Sequence, residues 1–445
     1  MKKASVYYRD NAARHGGYVY YYSPDFQRRL GEGVAEKDEI WVQPPGTPTV
    51  GSAWLAAYLA TNDPFYLDAA LETADALIYG QLQSGAWTNS INFDPVGNRV
   101  AQYRNGKGKG KNFSTLDDDI SQSAIQFLIE LDNMTQFQNK KVHEAATVAL
   151  DALLAAQFPN GAFPQGWDET PAVGAMQPGK KGNFPKYDWK TEGRIKEYWH
   201  LYTLNDGVAA TVADTLLVAY RIYQKQEYED ALRRLGEFLI EAQMPAPQPA
   251  WAQQYNYEMQ PVWARKFEPP AIASRESETA IATLLKIAVH FRDKRFLEPI
   301  PAALDYLESS ELPCGRLARY YELQSNKPLY MERSGKQYSL THSDKNLPSH
   351  YGWQNPSRVA DLRSAWSAVQ QRRGLPSPVL PSMEKAPPVD EILRSLDDDG
   401  RWMSTYHGEL LVGQPKFQDG EKYLNSAVFS RNLTILSSFL RSGAQ

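Results

Sequence analysis

Apolar residues recur at steps of three and four along much of the chain, which is the period of a helix that packs on one face. Two such stripes follow each other near the middle of the chain and predict a pair of helices. Their apolar positions are Val208, Val212, Leu216, Ala219 and Tyr223, then Leu232, Leu235, Leu239 and Ala242. Similar stripes predict three further pairs and a last single helix. These lie at residues 54–59 and 66–77, 120–131 and 142–156, 281–287 and 304–307, and 427–440.

A loop motif recurs after the second helix of these pairs. The run GQLQSGAW at 80–87 returns as AQFPNGAF at 156–163, and a looser copy spans 242–251. The glutamines of the three copies are 76 and 86 residues apart, which fits two helices plus loops and is too long for a short solenoid repeat. Strand signals are scarce. We therefore predict an all-α fold, an α/α toroid of repeated helical hairpins with long irregular loops, and an open superhelical solenoid is the alternative.

The chain is long enough for one large repetitive domain or for two or three ordinary ones. We expect residues 1–353 to form the α/α-toroid catalytic domain. Residues 354–445, with a proline-rich stretch at 376–388 and the last helix, are expected to be a C-terminal helical extension that closes the same domain.

Composition narrows the possible partners. The net charge is −4, whereas a nucleic-acid-binding protein needs a broad basic face. Cys314 is the single cysteine, which excludes an internal disulfide and a zinc site built from several cysteines. No apolar run is long enough to cross a bilayer, and the start of this chain has no apolar signal region. We expect a monomer without nucleic-acid or membrane partners, in a compartment that the residues leave open.

Three predicted helix starts at the same point of the repeat are unusually polar. They are TLDDD at 115–119, NDG at 205–207 and SRE at 274–276. Aspartate and asparagine cap helices, and this alone can explain each of them. If the loops converge at one end of the fold, however, these carboxylates would meet there, and oxygen ligands of this kind suit calcium.

Basic residues recur in aromatic loops after predicted helices, and arginine binds carboxylates with two parallel hydrogen bonds. The residues concerned are Arg265, Lys266, Arg316, Arg319 and Arg333. A loop face of this type suits an acidic sugar chain, and salt bridges to Glu268, Glu322 and Glu332 are the plain alternative. The run GKGKGK at 106–111 is a basic loop and not a phosphate-binding loop, because Asn112 stands where serine or threonine is required.

Several loops resemble, in order, the motifs of the pectic acid lyases, family 10 of the polysaccharide lyases, over roughly residues 115–330. NGAFPQ at 160–165 resembles their NGGWPQ element, TLDD at 115–118 their T-[IL]-D-N, and TLND at 203–206 their T-F-N-D. WAQQ at 251–254, ARKFE at 264–268, ES at 276–277, ARYYE at 318–322 and NKPLY at 326–330 follow in the family's order. Phe163 replaces a tryptophan, and Asn256 stands where a more acidic residue is usual.

The resemblance implies an α/α toroid that cleaves polygalacturonate with calcium and uses an arginine as base. It places Asp117 and Asp206 near calcium and Arg333 as the base, with Arg319 and Arg265 as rivals. Location outside the cytoplasm, secreted or periplasmic, is also implied. The expected substrate-binding residues in or beside these motifs are Trp167, Asn205, Trp251, Gln254, Lys266, Arg316 and Tyr320.

The chemistry expected is β-elimination, in which the C5 proton of a uronate is removed, the oxygen on C4 is expelled and a C4–C5 double bond forms. Fixed cations neutralise the developing negative charge. An arginine base would make activity rise toward alkaline pH, and Tyr255 or Tyr321 is a weaker candidate for the base. Two other functions remain open from the residues. One is an inverting glycoside hydrolase that uses Asp117 and Asp206 around a water, and the other is a non-catalytic glycan-binding protein.

Overall fold

The computed structural model describes residues 1–168, 179–371 and 386–443, so residues 376–385 of the proline-rich stretch lie outside the described part. The chain divides into two compact units. The first is Met1–Leu153 with Glu384–Gln445, and the second is Leu154–Met383. The expected division into a domain at 1–353 and an extension at 354–445 stays a prediction.

Helices dominate the described residues of both units. The first unit contains α1 (Lys2–Ala12), α2 (Thr47–Thr61), α3 (Pro64–Tyr79), α4 (Ile120–Met134), the start of α5 (Lys140–Ala156), α11 (Val389–Arg394) and α12 (Ser426–Gly443). The second unit contains α6 (Val208–Tyr223), α7 (Gln226–Ala242), α8 (Ser274–Phe291), α9 (Ile300–Ser309) and α10 (Val359–Gln370). The four predicted pairs and the last helix all coincide with observed helices, whereas α1, α10 and α11 were not predicted.

The core of the first unit is aromatic. Helix α2 packs against α3, α4 and α12. The ring of Phe429 on α12 lies 4.0 Å from that of Tyr8 on α1 and 5.1 Å from that of Trp54 on α2. Each such pair adds ~0.5–1.5 kcal/mol beyond the burial of its area. These contacts bring the two ends of the chain into one core.

The core of the second unit is formed by α6, α7 and α8, with α9 and α10 against α8. Val212, Leu216, Leu235 and Leu239 of the predicted stripes are buried. Gly236 of α7 allows close packing, because a Cβ there would lie 2.6 Å from an atom of the Phe296 ring. The apolar periodicity therefore identified the packed faces correctly.

The repeated glutamine has the same role in each copy of the loop motif. Its side-chain amide donates one hydrogen bond to a carbonyl of its own loop and a second to a carbonyl of the next hairpin. The acceptors are Gly85 and Ala145 for Gln81, Gly161 and Ala231 for Gln157, and Pro249 and Pro299 for Gln243, at 2.8–3.0 Å. The motif thus joins consecutive hairpins, which explains its recurrence.

Short strands lie in the loops. Those of the first unit are β1 (Tyr21–Tyr22), β2 (Arg29–Leu30), β3 (Glu39–Trp41), β4 (Ser90–Asn92), β5 (Ser114–Thr115), β15 (Met403–Thr405) and β16 (Lys422–Asn425). Those of the second unit are β6 (Gly166–Trp167), β7 (Tyr202–Thr203), β8 (Gln254–Tyr255), β9 (Ile272–Ala273), β10 (Arg316–Ala318), β11 (Tyr320–Tyr321), β12 (Pro328–Ser334), β13 (Gln337–Thr341) and β14 (Gln354–Pro356).

Two antiparallel pairings position the loops of the second unit. Strands β9, β11, β12 and β13 form one sheet, in which Tyr320 pairs with Ala273 and with Leu329, and Arg333 pairs with Tyr338. Strands β7 and β8 pair through Tyr202 and Tyr255. The β12–β13 hairpin was not predicted from the sequence. Within residues 1–168, 179–371 and 386–443, no helix combines the length and apolar character needed to span a membrane.

Glu278 is a buried carboxyl group in the core of the second unit. Its Oε1 accepts the backbone N–H of Arg358, at the start of α10, at 2.7 Å. Burial raises its pKa from 4.5 to about 7, the Arg358 interactions oppose the shift, and the charges of Glu276 and Glu311 add to it. Because the folded-state pKa is raised, folding favours the protonated form. The contribution is fully present below the ordinary pKa and is lost as the pH rises through the folded-state value.

Replacing Glu278 with glutamine removes this titration and keeps an acceptor for the Arg358 N–H. As the pH rises from about 5 to 8, the unmodified protein pays an increasing cost for ionising Glu278, and the variant does not. The free energy of unfolding of Glu278→Gln should therefore rise by roughly 3 kcal/mol relative to that of the unmodified protein over this range. Urea unfolding at several pH values measures this gain, and Glu298→Gln at an exposed site is the control. Parallel pH curves for the protein and its Glu278→Gln variant would contradict the prediction.

Candidate active site

Two of the polar helix starts form the same unusual turn, one in each unit. The turns span residues 116–119 and 204–207, and each begins with a leucine. In both turns the last two residues have a left-handed backbone conformation. They are Asp118 and Asp119 in the first unit (φ 45° and 63°) and Asp206 and Gly207 in the second (φ 50° and 72°). Non-glycine residues seldom adopt this conformation, and where they do the strain often marks a functional site.

Capping does not explain these residues. The residue that precedes the first turn is Asp119 for α4, Gly207 for α6 and Ala273 for α8, and none of these three described helices has a side-chain capping hydrogen bond. Within the first unit, Asp118 instead accepts a hydrogen bond from the Gln43 amide at 3.1 Å. The residue before the first turn therefore caps none of these three helices through its side chain.

Arg319 is the buried centre of the site in the second unit. Its guanidinium lies 2.9 Å from Glu276 Oε1, and their side chains are 6% and 1% exposed. The same Nη2 donates to the side-chain oxygen Oδ1 of Asn205 at 3.5 Å, and the Asn205 side-chain amide donates to Asp206 Oδ2 at 2.5 Å. A chain of polar contacts thus links α8, through Arg319, to the turn that carries Asp206.

Arg265 is the more accessible cation of the site, with 40% of its side chain exposed. Its Nη2 lies 2.7 Å from Oε1 of the buried Glu268 and 3.9 Å from Asp206 Oδ2. Glu268 also accepts the Arg265 backbone N–H at 2.9 Å. The tight turn at 265–268 therefore holds the guanidinium beside Asp206 while part of it stays open to a ligand.

Tyr351 lies close to both arginines. Its ring centre is 5.0 Å from the Arg319 guanidinium and 6.0 Å from that of Arg265, which are cation–π distances. Its hydroxyl donates to Glu268 Oε1 at 3.0 Å and shares a hydrogen bond with the Tyr320 hydroxyl at 2.7 Å. The Tyr320 hydroxyl also lies 2.5 Å from the side-chain amide of Gln253. These bonds fix the carboxylate that holds Arg265.

An aromatic cluster connects Arg265 with Arg333. The Phe267 ring packs against Tyr338, His350 and Tyr351 at 5.4, 5.1 and 4.8 Å between ring centres. Arg333 is exposed on the β12–β13 hairpin, where its guanidinium is 5.7 Å from the Tyr338 ring. Burial lowers the pKa of His350, and the positive charges of Arg333 and Arg265 lower it further. Both arginines therefore lie near rings of this cluster.

Ion pairing keeps Arg265 and Arg319 protonated. Burial alone would lower both pKa values, but Glu268 and Asp206 raise the pKa of Arg265, and Glu276 raises that of Arg319 well above its usual value. Burial alone would raise the pKa of Glu268, yet the adjacent Arg265 holds it below the ordinary value. In this state the cluster has two guanidinium groups and three carboxylates, those of Asp206, Glu268 and Glu276.

The comparisons with known proteins agree with the sequence motifs. The model of the pectic acid lyase family matches residues 81–172. The resemblance to the pectic acid lyases is confirmed. The predicted enzyme class, a polysaccharide lyase, is confirmed by the same family match. A search of the curated proteins gives no match.

Two solved structures of a family 10 polysaccharide lyase from Cellvibrio cellulosa are similar to this chain. The first, a mutant in complex with trigalacturonic acid, is 16% identical and has a TM-score of 0.50, over 73% of this chain and 97% of that chain. The second is 18% identical and has a TM-score of 0.49, over 70% and 94%. Because the first likeness shows a shared fold, the predicted α/α-toroid class of the pectic acid lyases is confirmed.

Four of the expected substrate-binding residues are buried, and their contact with the sugar chain stays a prediction. Trp251 is 0% exposed and donates its indole N–H to the Leu239 carbonyl at 2.8 Å, so it belongs to the core. Trp167, Gln254 and Tyr320 are 3%, 1% and 0% exposed. The sequence motifs identified the loops that carry these residues. A side chain in such a loop can pack against the rest of the loop, and the motif does not distinguish this from contact with a ligand.

The other predicted site residues have diverse positions. Asn205 is buried beside Asp206 and Arg319, Lys266 is exposed next to Arg265, and Arg316 donates to the Gln354 carbonyl at 2.7 Å in the β10–β14 pair. Asp117 lies in the turn before α4 of the first unit. The roles of these residues, and of Asp206, Arg265, Arg319 and Arg333, stay predictions.

Tyr255 and Tyr321 are wrong as candidate bases. Both hydroxyl groups are buried and donate to backbone carbonyls, that of Ala242 at 2.8 Å and that of Ser310 at 2.5 Å. Burial raises both pKa values above the ordinary one, which opposes loss of a proton.

Sequence reasoning missed the site roles of Tyr351 and Gln253. It named Glu268 as a salt-bridge partner and Glu276 as a carboxylate at a helix start, and the structure pairs them with Arg265 and Arg319. Glu268 follows Arg265 by three residues, which was the available signal for their pairing. Tyr351 is distant in sequence from every recognised motif, so nothing local indicated it.

Proposed function

We propose that this protein cleaves polygalacturonate, or a related acidic uronate polysaccharide, by calcium-assisted β-elimination. The observation that carries the proposal is the arrangement of Arg265 and Arg319, two fixed cations that both lie near the Tyr351 ring, with Arg265 3.9 Å from Asp206 Oδ2. Preorganised cations of this kind stabilise a negative charge that develops on a substrate carboxylate. The trigalacturonic acid bound to the similar lyase supports a uronate as substrate.

The two arginines have different tasks in this mechanism. Arg265 is partly exposed and can bind the uronate carboxylate with two parallel hydrogen bonds. Arg319 is buried, so it positions Asn205 and Asp206 and contributes its charge at a distance. Glu268 and Glu276 hold these guanidinium groups before substrate arrives, which reduces the reorganisation required in the transition state.

Calcium fits the chemistry of the available donors. Asp206, which the family resemblance assigns to calcium as it does Asp117, offers carboxylate oxygens, the ligands that a hard cation prefers. The second-unit cluster carries one more negative than positive group, so a divalent cation would make it net positive toward an anionic substrate. When bound, calcium would neutralise the substrate carboxylate and acidify the neighbouring C5 proton.

Arg333 is the base in this proposal. Arg265 and Arg319 are paired with carboxylates that raise their pKa values, and this opposes loss of a proton. Arg333 donates its Nε–H to the Gly335 carbonyl at 2.8 Å and has no carboxylate partner among the described residues. We expect kcat to rise toward alkaline pH, and a profile that is flat from about pH 6 to 10 would contradict an arginine base.

The deciding experiment is incubation of the protein with polygalacturonate while the ultraviolet absorbance of an unsaturated uronate is followed. We expect the absorbance to increase, to be abolished by a chelator and to be restored by calcium. New reducing ends without absorbance would instead indicate hydrolysis, since only elimination creates a double bond. Absorbance that persists in chelator would leave the lyase activity in place and contradict the calcium requirement.

A further inference from the structure

A run of three lysines in the first unit is not used by the proposed mechanism. We call Lys107, Lys109 and Lys111, which alternate with glycines, the lysine strip. From Arg99 to Lys111 the chain has five basic residues and no acidic one. The strip lies within the residues matched by the pectic acid lyase family model and ends six positions before Asp117.

The strip has a defined backbone structure. Tyr103 N–H donates to the Lys107 carbonyl at 3.1 Å, and Gln102 N–H donates to the Lys111 carbonyl at 3.2 Å. The intervening glycines pack directly on the preceding segment. A Cβ on Gly108 would lie 2.2 Å from the Ala101 carbonyl oxygen, and one on Gly110 would lie 1.7 Å from that of Val100. The glycines therefore allow the close return of the chain, and the lysines between them are exposed.

The charge of the strip is uncompensated. The other basic residues of the segment are paired, Arg99 with Glu39 at 2.6 Å and Arg104 with Glu144 at 2.9 Å. The three lysines have no ion pair within the part of the chain that the structure describes. Successive lysine Cα atoms are at most ~7.6 Å apart, since each step along the chain is 3.8 Å. Their fields therefore overlap within one Debye length of ~8 Å.

We propose that the lysine strip is an accessory binding site for the carboxylates of an acidic polysaccharide chain. Three mobile ammonium groups in a row match a regular series of carboxylates better than a single small anion. Lysine binds as a point charge, and the strip has no exposed aromatic ring on which a nucleic-acid base could stack. The identity of the polysaccharide as the substrate rests on the proposed function.

The test compares two triple variants of the full chain. Lys107→Gln/Lys109→Gln/Lys111→Gln removes the strip, and Lys37→Gln/Lys140→Gln/Lys141→Gln removes the same charge from other exposed positions of the first unit. We expect the strip variant to bind long polygalacturonate about tenfold more weakly at low salt, with the difference disappearing at high salt. Its turnover of trigalacturonate should be unchanged, and the control variant should bind like the original protein.

Equal polymer binding by the strip variant and the original protein would overturn the proposal, as would an equal loss in both triple variants. The proposal would also be overturned if the protein bound single-stranded DNA more tightly than the polymer and the strip variant lost that binding, which would indicate a nucleic-acid site. If the protein binds the polymer through the strip but forms no unsaturated product, the proposed function fails and the accessory site stands. Thermal unfolding midpoints confirm that each variant is folded.

Discussion

Replacing Arg265 with alanine is expected to lower kcat on polygalacturonate by about 100- to 1000-fold, the loss typical of removing one preorganised donor to a developing charge. The guanidinium is the accessible cation of the site, 2.7 Å from Glu268 and 3.9 Å from Asp206. Initial rates of formation of the unsaturated product, at saturating substrate, measure the effect.

The variant Arg265→Lys separates geometry from charge. Lysine retains a positive charge to pair with the buried Glu268 but cannot form two parallel hydrogen bonds with a carboxylate. We expect it to be folded and still at least about tenfold slower than the original protein. The exposed Arg363, which pairs with Asp305 and Glu308, supplies the control variant Arg363→Ala. Wild-type kcat in Arg265→Lys would show that Arg265 does not clamp the substrate.

Replacing Arg319 with methionine is expected to lower the free energy of unfolding by about 3–5 kcal/mol. The change leaves the Glu276 carboxylate, 1% exposed, without its cationic partner at 2.9 Å. A buried charge without compensation is far more costly than the loss of the attraction itself. Urea unfolding followed by circular dichroism measures the loss.

The double variant Arg319→Met/Glu276→Leu tests the cause. It removes both charges, so we expect it to recover most of the stability that the single change loses, while activity stays low. The exposed pair of Arg363 is again the control, and Arg363→Met should cost less than about 1 kcal/mol. A double variant as unstable as Arg319→Met would show that packing and not the unpaired charge caused the loss.

Local patterns determined the fold class of this protein. Apolar residues at helical spacing identified both helices of each predicted pair, because a helix that buries one face must place its apolar side chains at that period. The repeated glutamine was equally informative, since Gln81, Gln157 and Gln243 each tie one hairpin to the next. Motif order along the chain then pointed to the pectic acid lyases, and the family match agrees.

Burial could not be read from the same motifs. Trp251 and Tyr320 stand in recognisable loop elements, yet both are 0% exposed. A short loop uses aromatic residues both to pack against the core and to contact a ligand. The same residue types serve both purposes, so the motif does not show which of them a given side chain has. The β12–β13 hairpin that carries Arg333 also went unpredicted, because its exposed residues alternate only weakly between polar and apolar.

The sequence alone determined which residue types were available, namely arginines in aromatic loops and carboxylates at helix starts. The tertiary structure decided their partners. It paired Arg265 with Glu268 and Arg319 with Glu276, and it placed Tyr351, far from every motif, close to both guanidinium groups. The physical reason is that electrostatic pairing and burial depend on distances between side chains, and only the packed helices and loops set those distances.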